Sequence, residues 1–305
     1  MRSAHIPTRY GVSPSCVALP TDKTPAWTLL LDFLADRLTT VGRDGWHRRM
    51  ARGEVLDEAA HALLPETAFR PGTRVYYYRH LEDEPEVPFQ ETVVFQDDHL
   101  LVADKPHFLP VTPAGRYVQQ SLLVRLKNRL GIESLSPLHR IDRETAGLVV
   151  FSLRPQDRAA YQALFRDRAV TKSYEAIARF DEHLNWPVER RSRIAEEDGA
   201  FFRMAEVEGE PNSETRIDLL ERRGPWARYG LAPVTGKRHQ LRVHMNALGL
   251  PMVGDQFYPV VRRGPDEPED FADPLRLLAR AIRFTDPITG AQRHFESQLT
   301  LGWPD

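Results

Sequence analysis

Short apolar runs bounded by turn residues recur from Thr73 to the C-terminus, and they outnumber the helical periods between them. This ratio limits the fold more than any other feature. Strands that alternate strictly with helices build a parallel, doubly wound sheet; strands that follow one another build an α+β fold. Here residues 92–95 and 100–103 flank Gln96-Asp97-Asp98, which predicts a hairpin. Further strands are predicted at 73–79, 148–153, 173–178, 214–220, 227–232, 275–284 and 294–301. Helices are fewer. Leu29, Leu30, Phe33, Leu34 and Leu38 recur at helical spacing, and 43–52 can continue after Gly42. Leu122, Leu123, Leu126 and Leu130 predict a helix ended by Gly131. Pro155 suits the start of a helix reaching Arg166, and 239–248 fits one closed by Gly249 and Pro251. The expectation is α+β, with a mixed, mostly antiparallel sheet and flanking helices.

The chain divides by composition. Residues 1–25 read as an extended arm, 26–80 as a small unit, 81–90 (with Pro85 and Pro88) as a linker, and 91–305 as the main domain. No run of eighteen apolar residues occurs, so no membrane helix is expected. The N-terminus lacks the apolar core of a signal peptide, and the one cysteine, Cys16, excludes a disulfide framework or a cysteine zinc site. A cytoplasmic protein is the expectation.

Net charge is −2, which excludes a uniformly basic surface, but the charge is segregated. Residues 37–52 hold five basic residues against one acidic, 116–179 twelve against six, and 222–244 six against none. Residues 54–91 and 181–221 are acidic. Basic stretches set apart in this way are what a polyanion-binding face needs, and equally what solvated helices of alternating sign would show.

Familiar chemistries fail on spacing. Gly230 and Gly236 are six apart and Arg238 stands where a phosphate loop needs Ser or Thr. His239 and His244, five apart, lie about 140° apart around a helix and are poorly placed to share a metal. The dense segment is Leu138-His139-Arg140-Ile141-Asp142-Arg143-Glu144-Thr145-Ala146-Gly147-Leu148, in a loop before a buried strand. A loop aspartate at a strand end is a common catalytic placement, although a lone one is as a rule a surface residue pairing with a neighbour such as Arg140 or Arg143.

Four segments in order change that balance. Asp97 to Pro106 resembles D-D-x-L-L-V-V-x-K-P, and the Asp142 segment resembles H-R-L-D-x-x-T-S-G-L. Lys172-Ser173-Tyr174 resembles K-x-Y, and Gly236 to His244 with Gly249 to Asp255 resembles G-R-T-H-Q-I-R-V-H followed by G-x-P-I-x-G-D. Together they resemble the RluA-type family of RNA pseudouridine synthases over residues 91–305, and 27–80 resembles an S4-like RNA-binding domain. The departures are Ile141 for leucine, Ala146 for serine and Lys237-Arg238 for Arg-Thr, all conservative in size or charge.

The resemblance implies a pseudouridine-synthase-type catalytic domain, an RNA partner (ribosomal or transfer), a monomer, and neither cofactor nor metal. It implies that Asp142 acts at the ribose of a target uridine, as nucleophile at C1′ or as base at C2′. Arg242 would pair with Asp142, Tyr174 would stack on the uracil, Leu241 would line the uracil site, and Arg140 would help hold a flipped-out nucleotide. His139 and Lys105-Pro106 read as support. The basic stretches 37–52, 116–129 and 222–238 would meet phosphates. The competing readings are a non-catalytic RNA-binding or ribosome-assembly protein that keeps the fold, and a hydrolytic nucleosidase.

Overall fold

The computed structural model describes residues 6–21, 26–79, 84–197, 199–264, 267 and 269–304, the Phe201 side chain excepted. The start of the expected arm, its residues 22–25, the linker residues 81–83 and part of the 262–274 loop therefore lie outside the described residues.

The N-terminal part contains β1 (Ser15–Ala18), α1 (Leu30–Arg37), α2 (Gly42–Ala51), β2 (Val55–Leu56) and β3 (Arg74–Tyr77). The three strands form their own sheet in the order β1-β3-β2. Leu30 and Leu34 of α1, Trp46 and Met50 of α2, and Val75 of β3 close its core. Residues 15–18 are thus extended but not free, because β1 pairs antiparallel with β3 along its length. Val12 is also buried against Val118 and Val124 of the next domain. The sequence missed this because four residues with alternating burial carry too short a pattern to separate a strand from an arm.

The main domain follows with β4 (Thr92–Gln96), β5 (Leu100–Lys105), α3 (Leu122–Leu130), β6 (Ser136–Pro137), β7 (Ala146–Ser152), α4 (Arg158–Arg166), β8 (Thr171–Arg179), β9 (Val188–Glu197), β10 (Ala200–Val207), β11 (Ser213–Arg223), β12 (Trp226–Pro233), α5 (Gln240–Ala247), β13 (Leu277–Thr285) and β14 (Gln292–Glu296). These strands form one eleven-stranded sheet with the path β10-β9-β11-β12-β8-β13-β7-β5-β4; β14 adds to β13 and β6 to β7. The β13–β7 pair is parallel and the other pairs are antiparallel, so the sheet is mixed and mostly antiparallel and the fold is α+β.

The central strands β5 and β7 are buried on both faces. Leu101, Ala103, Val149 and Phe151 pack against Leu122 and Leu126 of α3, while Leu100, Val102, Leu148 and Val150 pack against Tyr161 of α4 and Ile282 of β13. Two covered faces explain why these strands read as continuous apolar runs rather than as alternation. Gly131 ends α3 in the left-handed region at φ +69°, and its N–H returns to the Lys127 carbonyl.

Two expected boundaries change, and a stretch with no assigned element gains one. The helix expected from Pro155 begins at Arg158, after a turn. The last strand ends at Glu296. Much of the acidic 181–221 stretch is strand: β9 and β10 pair as a hairpin, with exposed and partly buried positions alternating along 188–193. Its sparse apolar residues concealed it, since Ile194 and Met204 carry most of its burial. Among the described residues no helix is long and apolar enough to cross a membrane.

Candidate active site

The register of the sheet brings the expected residues to one place. Ala279 of β13 stands level with Gly147 of β7 on one side and with Tyr174 of β8 on the other. The loop that enters β7 carries Asp142, so the carboxylate arrives beside the tyrosine. Gly147 permits this closeness: it has φ +111°, and a Cβ there would lie 2.4 Å from the Ala279 carbonyl oxygen. From the other side, α5 packs Leu241 and Met245 onto the β8, β11 and β12 layer. That anchoring turns the next residue, Arg242, toward the Asp142 loop.

A cleft of about 1100 Å3 results, and Asp142, Arg140, Tyr174, Leu241, Arg242 and His239 all line it. The Asp142 side chain keeps 25% of its surface open, whereas Arg242 keeps none. Arg242 Nη1 lies 3.4 Å from Asp142 Oδ2 and 3.6 Å from Glu144 Oε2. Its far edge is clamped by Asp255, which accepts from Nε at 2.8 Å and from Nη2 at 2.6 Å. A fork of this kind fixes the guanidinium plane. Burial works against the Arg242 charge, but Asp255, Glu144 and Asp142 together raise its pKa above the usual arginine value.

Asp142 does not pair with Arg140 or Arg143. Arg143 is held by Glu144 and Glu269, and it donates to the Tyr117 hydroxyl. Arg140 is exposed at the cleft rim, with no hydrogen bond or ion pair among the described residues. Burial would raise the Glu144 carboxyl, but Arg143 and then Arg242 hold it down at about 2. Lys105 is fully buried and donates to the Pro106 and Arg143 carbonyls, which props the aspartate loop from below. Burial pushes its ammonium down to about 7, against the pull of Glu144 and Asp142. His139 stacks on Phe165 and accepts the Val150 N–H at Nε2. Burial, then Lys172, lowers His139 to about 3, so it is a neutral packing residue.

Tyr174 is half-buried, and its hydroxyl has no hydrogen-bond partner among the described residues. Burial, and next the Asp142 charge, push its pKa up, which keeps the phenol protonated. The rim adds Arg166, Arg168, Lys172, Lys237 and Arg238. The stretch 116–129, expected to meet phosphates, does other work: Arg116 pairs with Glu269, and Arg125 and Arg129 brace Glu91. Among the described residues no three His, Cys, Asp or Glu side chains gather as a metal site.

Sequence reasoning assigned no role to Asp255, Glu144 or His239, although all three stand inside the quoted segments. The signal available was that Gly254-Asp255 closes the last of these. What could not be read was that a side chain thirteen positions after Arg242 folds back onto it.

A family profile described as RNA pseudouridylate synthase matches residues 99–247. An uncharacterized RNA pseudouridine synthase of Synechocystis sp. is 30% identical over 237 residues, covering 75% of this chain and 79% of the relative. The dual-specificity RNA pseudouridine synthase RluA of Haemophilus influenzae is 30% identical over 223 residues, covering 68% and 92%. The structure of human RNA pseudouridylate synthase domain containing 1 superposes with a TM-score of 0.57 at 25% identity, covering 73% of this chain and 86% of that one. With the sheet, the cleft and these relatives in agreement, the chain belongs to the RluA-type family of RNA pseudouridine synthases and is an enzyme of that class.

Proposed function

We propose that this enzyme converts specific uridines of structured RNA, ribosomal or transfer, to pseudouridine through Asp142 acting at the ribose. One observation carries the reading: a part-open carboxylate in a cleft, 3.4 Å from an arginine that is itself locked by a second carboxylate. The N1–C1′ bond breaks, the uracil turns within the cleft, and C5 bonds to C1′. Substrate and product are isomers, so no redox partner enters the balance. Arg242 sets a fixed positive charge beside Asp142 and does not have to reorganise during reaction.

Tyr174 offers a ring face to the uracil, worth about 1–3 kcal/mol by stacking. Leu241 lines the same site with apolar surface, which helps keep water from capturing the sugar carbon. Extruding a nucleotide from its stack costs a few kcal/mol. Arg140, exposed and unpaired at the rim, is suited to fill the gap left behind. The N-terminal unit, with Arg48 and Arg52 exposed near the end of α2, serves as the S4-like RNA-gripping domain.

The test is pseudouridine mapping on RNA from a strain lacking the gene, after incubation with wild-type protein or with Asp142→Asn. Wild type should restore discrete pseudouridines and the variant none. Equal product from both would refute the reading. Release of free uracil would instead indicate hydrolysis.

A further inference from the structure

The cleft contains a titratable side chain that the mechanism above leaves without a task. His239 caps the N-terminus of α5 in the left-handed region at φ +54°, and it is buried. Its ring stacks on Phe257 at 5.7 Å between centroids. Nδ1 lies 3.1 Å from the Tyr258 hydroxyl oxygen. That hydroxyl lies 2.8 Å from the Met204 carbonyl oxygen and receives the Met204 N–H at 2.9 Å.

A hydroxyl has one hydrogen, and a carbonyl oxygen can only accept. The Tyr258 hydrogen is therefore committed to Met204, and the hydroxyl oxygen can only accept from His239. This assigns the tautomer: Nδ1 is protonated, and Nε2 of the neutral ring is a bare lone pair. Burial, ahead of the opposing pull of Asp142, lowers the imidazole to about 4, so the neutral form prevails near pH 7. Nε2 points to the reacting side of the cleft, 4.0 Å from Asp142 Oδ2.

We propose that His239 Nε2 is a ribose subsite that accepts the hydrogen bond of the target nucleotide's 2′-hydroxyl. The proposal rests on the reading that Asp142 acts at C1′ or C2′. Given that placement, O2′–H is the donor nearest the carboxylate, because it is carried on C2′ itself, whereas the uracil N3–H lies beyond C2 of the base and points away from the sugar. The spacing lets O2′ sit about 2.8 Å from Nε2 while C1′ and C2′ face the carboxylate. An acceptor on O2′–H leaves more electron density on the sugar as C1′ becomes cation-like, and such bonds to the 2-hydroxyl strengthen in the transition state. It also makes the site read ribose rather than deoxyribose. Tyr258 is then a positioning residue, acting through the tautomer of His239.

The experiment uses the full chain and a stem-loop carrying the mapped target, synthesised with uridine or 2′-deoxyuridine at that one position. Single-turnover rates are expected to favour ribose roughly tenfold or more in the wild type. His239→Ala should bring that ratio close to one, and His239→Gln, which returns an acceptor, should recover part of it. A wild type indifferent to the 2′-hydroxyl, or a ratio unchanged in His239→Ala, overturns the subsite. If the alanine variant does not fold, the imidazole 15N shifts of the wild type decide: a protonated Nδ1 with bare Nε2 supports the assignment, and a protonated Nε2 overturns it. Asp142→Asn separates the two claims. An active Asp142→Asn removes the reading beneath the proposal, whereas an inactive one with no ribose coupling at His239 removes the subsite alone.

Discussion

Replacing Asp255 with asparagine keeps its shape and removes its charge, which makes it the sharpest probe of how the site is built. Both side chains of the pair are essentially inaccessible, at 0% for Arg242 and 1% for Asp255. The carboxylate accepts two hydrogen bonds from Arg242, and its Oδ1 also receives the Phe257 and Tyr258 amides. An amide can present one oxygen to these donors but must turn its NH2 against another. Breaking a buried ion pair by removing one partner costs about 3–5 kcal/mol. The low end applies here, because Asp142 and Glu144 remain within 3.4 and 3.6 Å of Nη1. The urea slope grows with chain length, and at about 3 kcal/mol/M a loss of about 3 kcal/mol moves the midpoint down by roughly 1 M. The freed guanidinium should also swing toward Asp142 and lower the rate of pseudouridine formation. Urea unfolding followed by fluorescence and a single-turnover assay measure both effects. A midpoint and rate within error of wild type would show that Asp255 does not anchor Arg242, and the account of the site would fail at its base.

Gly147→Ala would bring a Cβ to 2.4 Å from the Ala279 oxygen at a φ of +111°, so it should cost at least about 3 kcal/mol and displace the Asp142 loop; a thermal midpoint equal to wild type contradicts this. Tyr174→Phe should bind the mapped RNA as wild type does, while Tyr174→Ala loses about 1–3 kcal/mol of binding; equal loss in both would mean that the hydroxyl, not the ring face, carries the contact. His244 is fully buried, with Ser192, Ser213 and Thr215 hydroxyls around its nitrogens, and burial lowers it to about 4. Its folded form stays neutral while the unfolded chain takes up a proton below about pH 6.5, so its contribution is present above that pH and is lost toward pH 4. The loss is on the order of 3 kcal/mol, and His244→Asn should lessen the slope of stability against pH between 6.5 and 4 by one proton's share, the buried His107, His139 and His239 keeping the rest; an unchanged slope counts against the argument.

Most element types, the fold class and the family are legible in the linear pattern, whereas β1 and the β9–β10 hairpin are not. The doubly covered strands β5 and β7 announce themselves as apolar runs, and four ordered segments name the chemistry. Asp142, Tyr174, Leu241 and Arg242 were legible because each sits in a segment whose spacing is local. The pairing of Arg242 with Asp142 is what the family resemblance implies; the other partners of these residues follow from the packed sheet. Asp142 ignores its chain neighbours Arg140 and Arg143 and meets Arg242, a hundred positions away. Arg125 and Arg129, basic in sequence, are absorbed by Glu91 and the 87–89 backbone. The acidic 181–221 stretch becomes a hairpin whose Met204 fixes the hydroxyl of Tyr258, and through it the tautomer of His239. Local propensity and periodicity depend on neighbours in the chain, whereas ion pairing and hydrogen-bond direction depend on which groups the folded sheet brings within a few ångströms. That proximity is absent from the linear pattern.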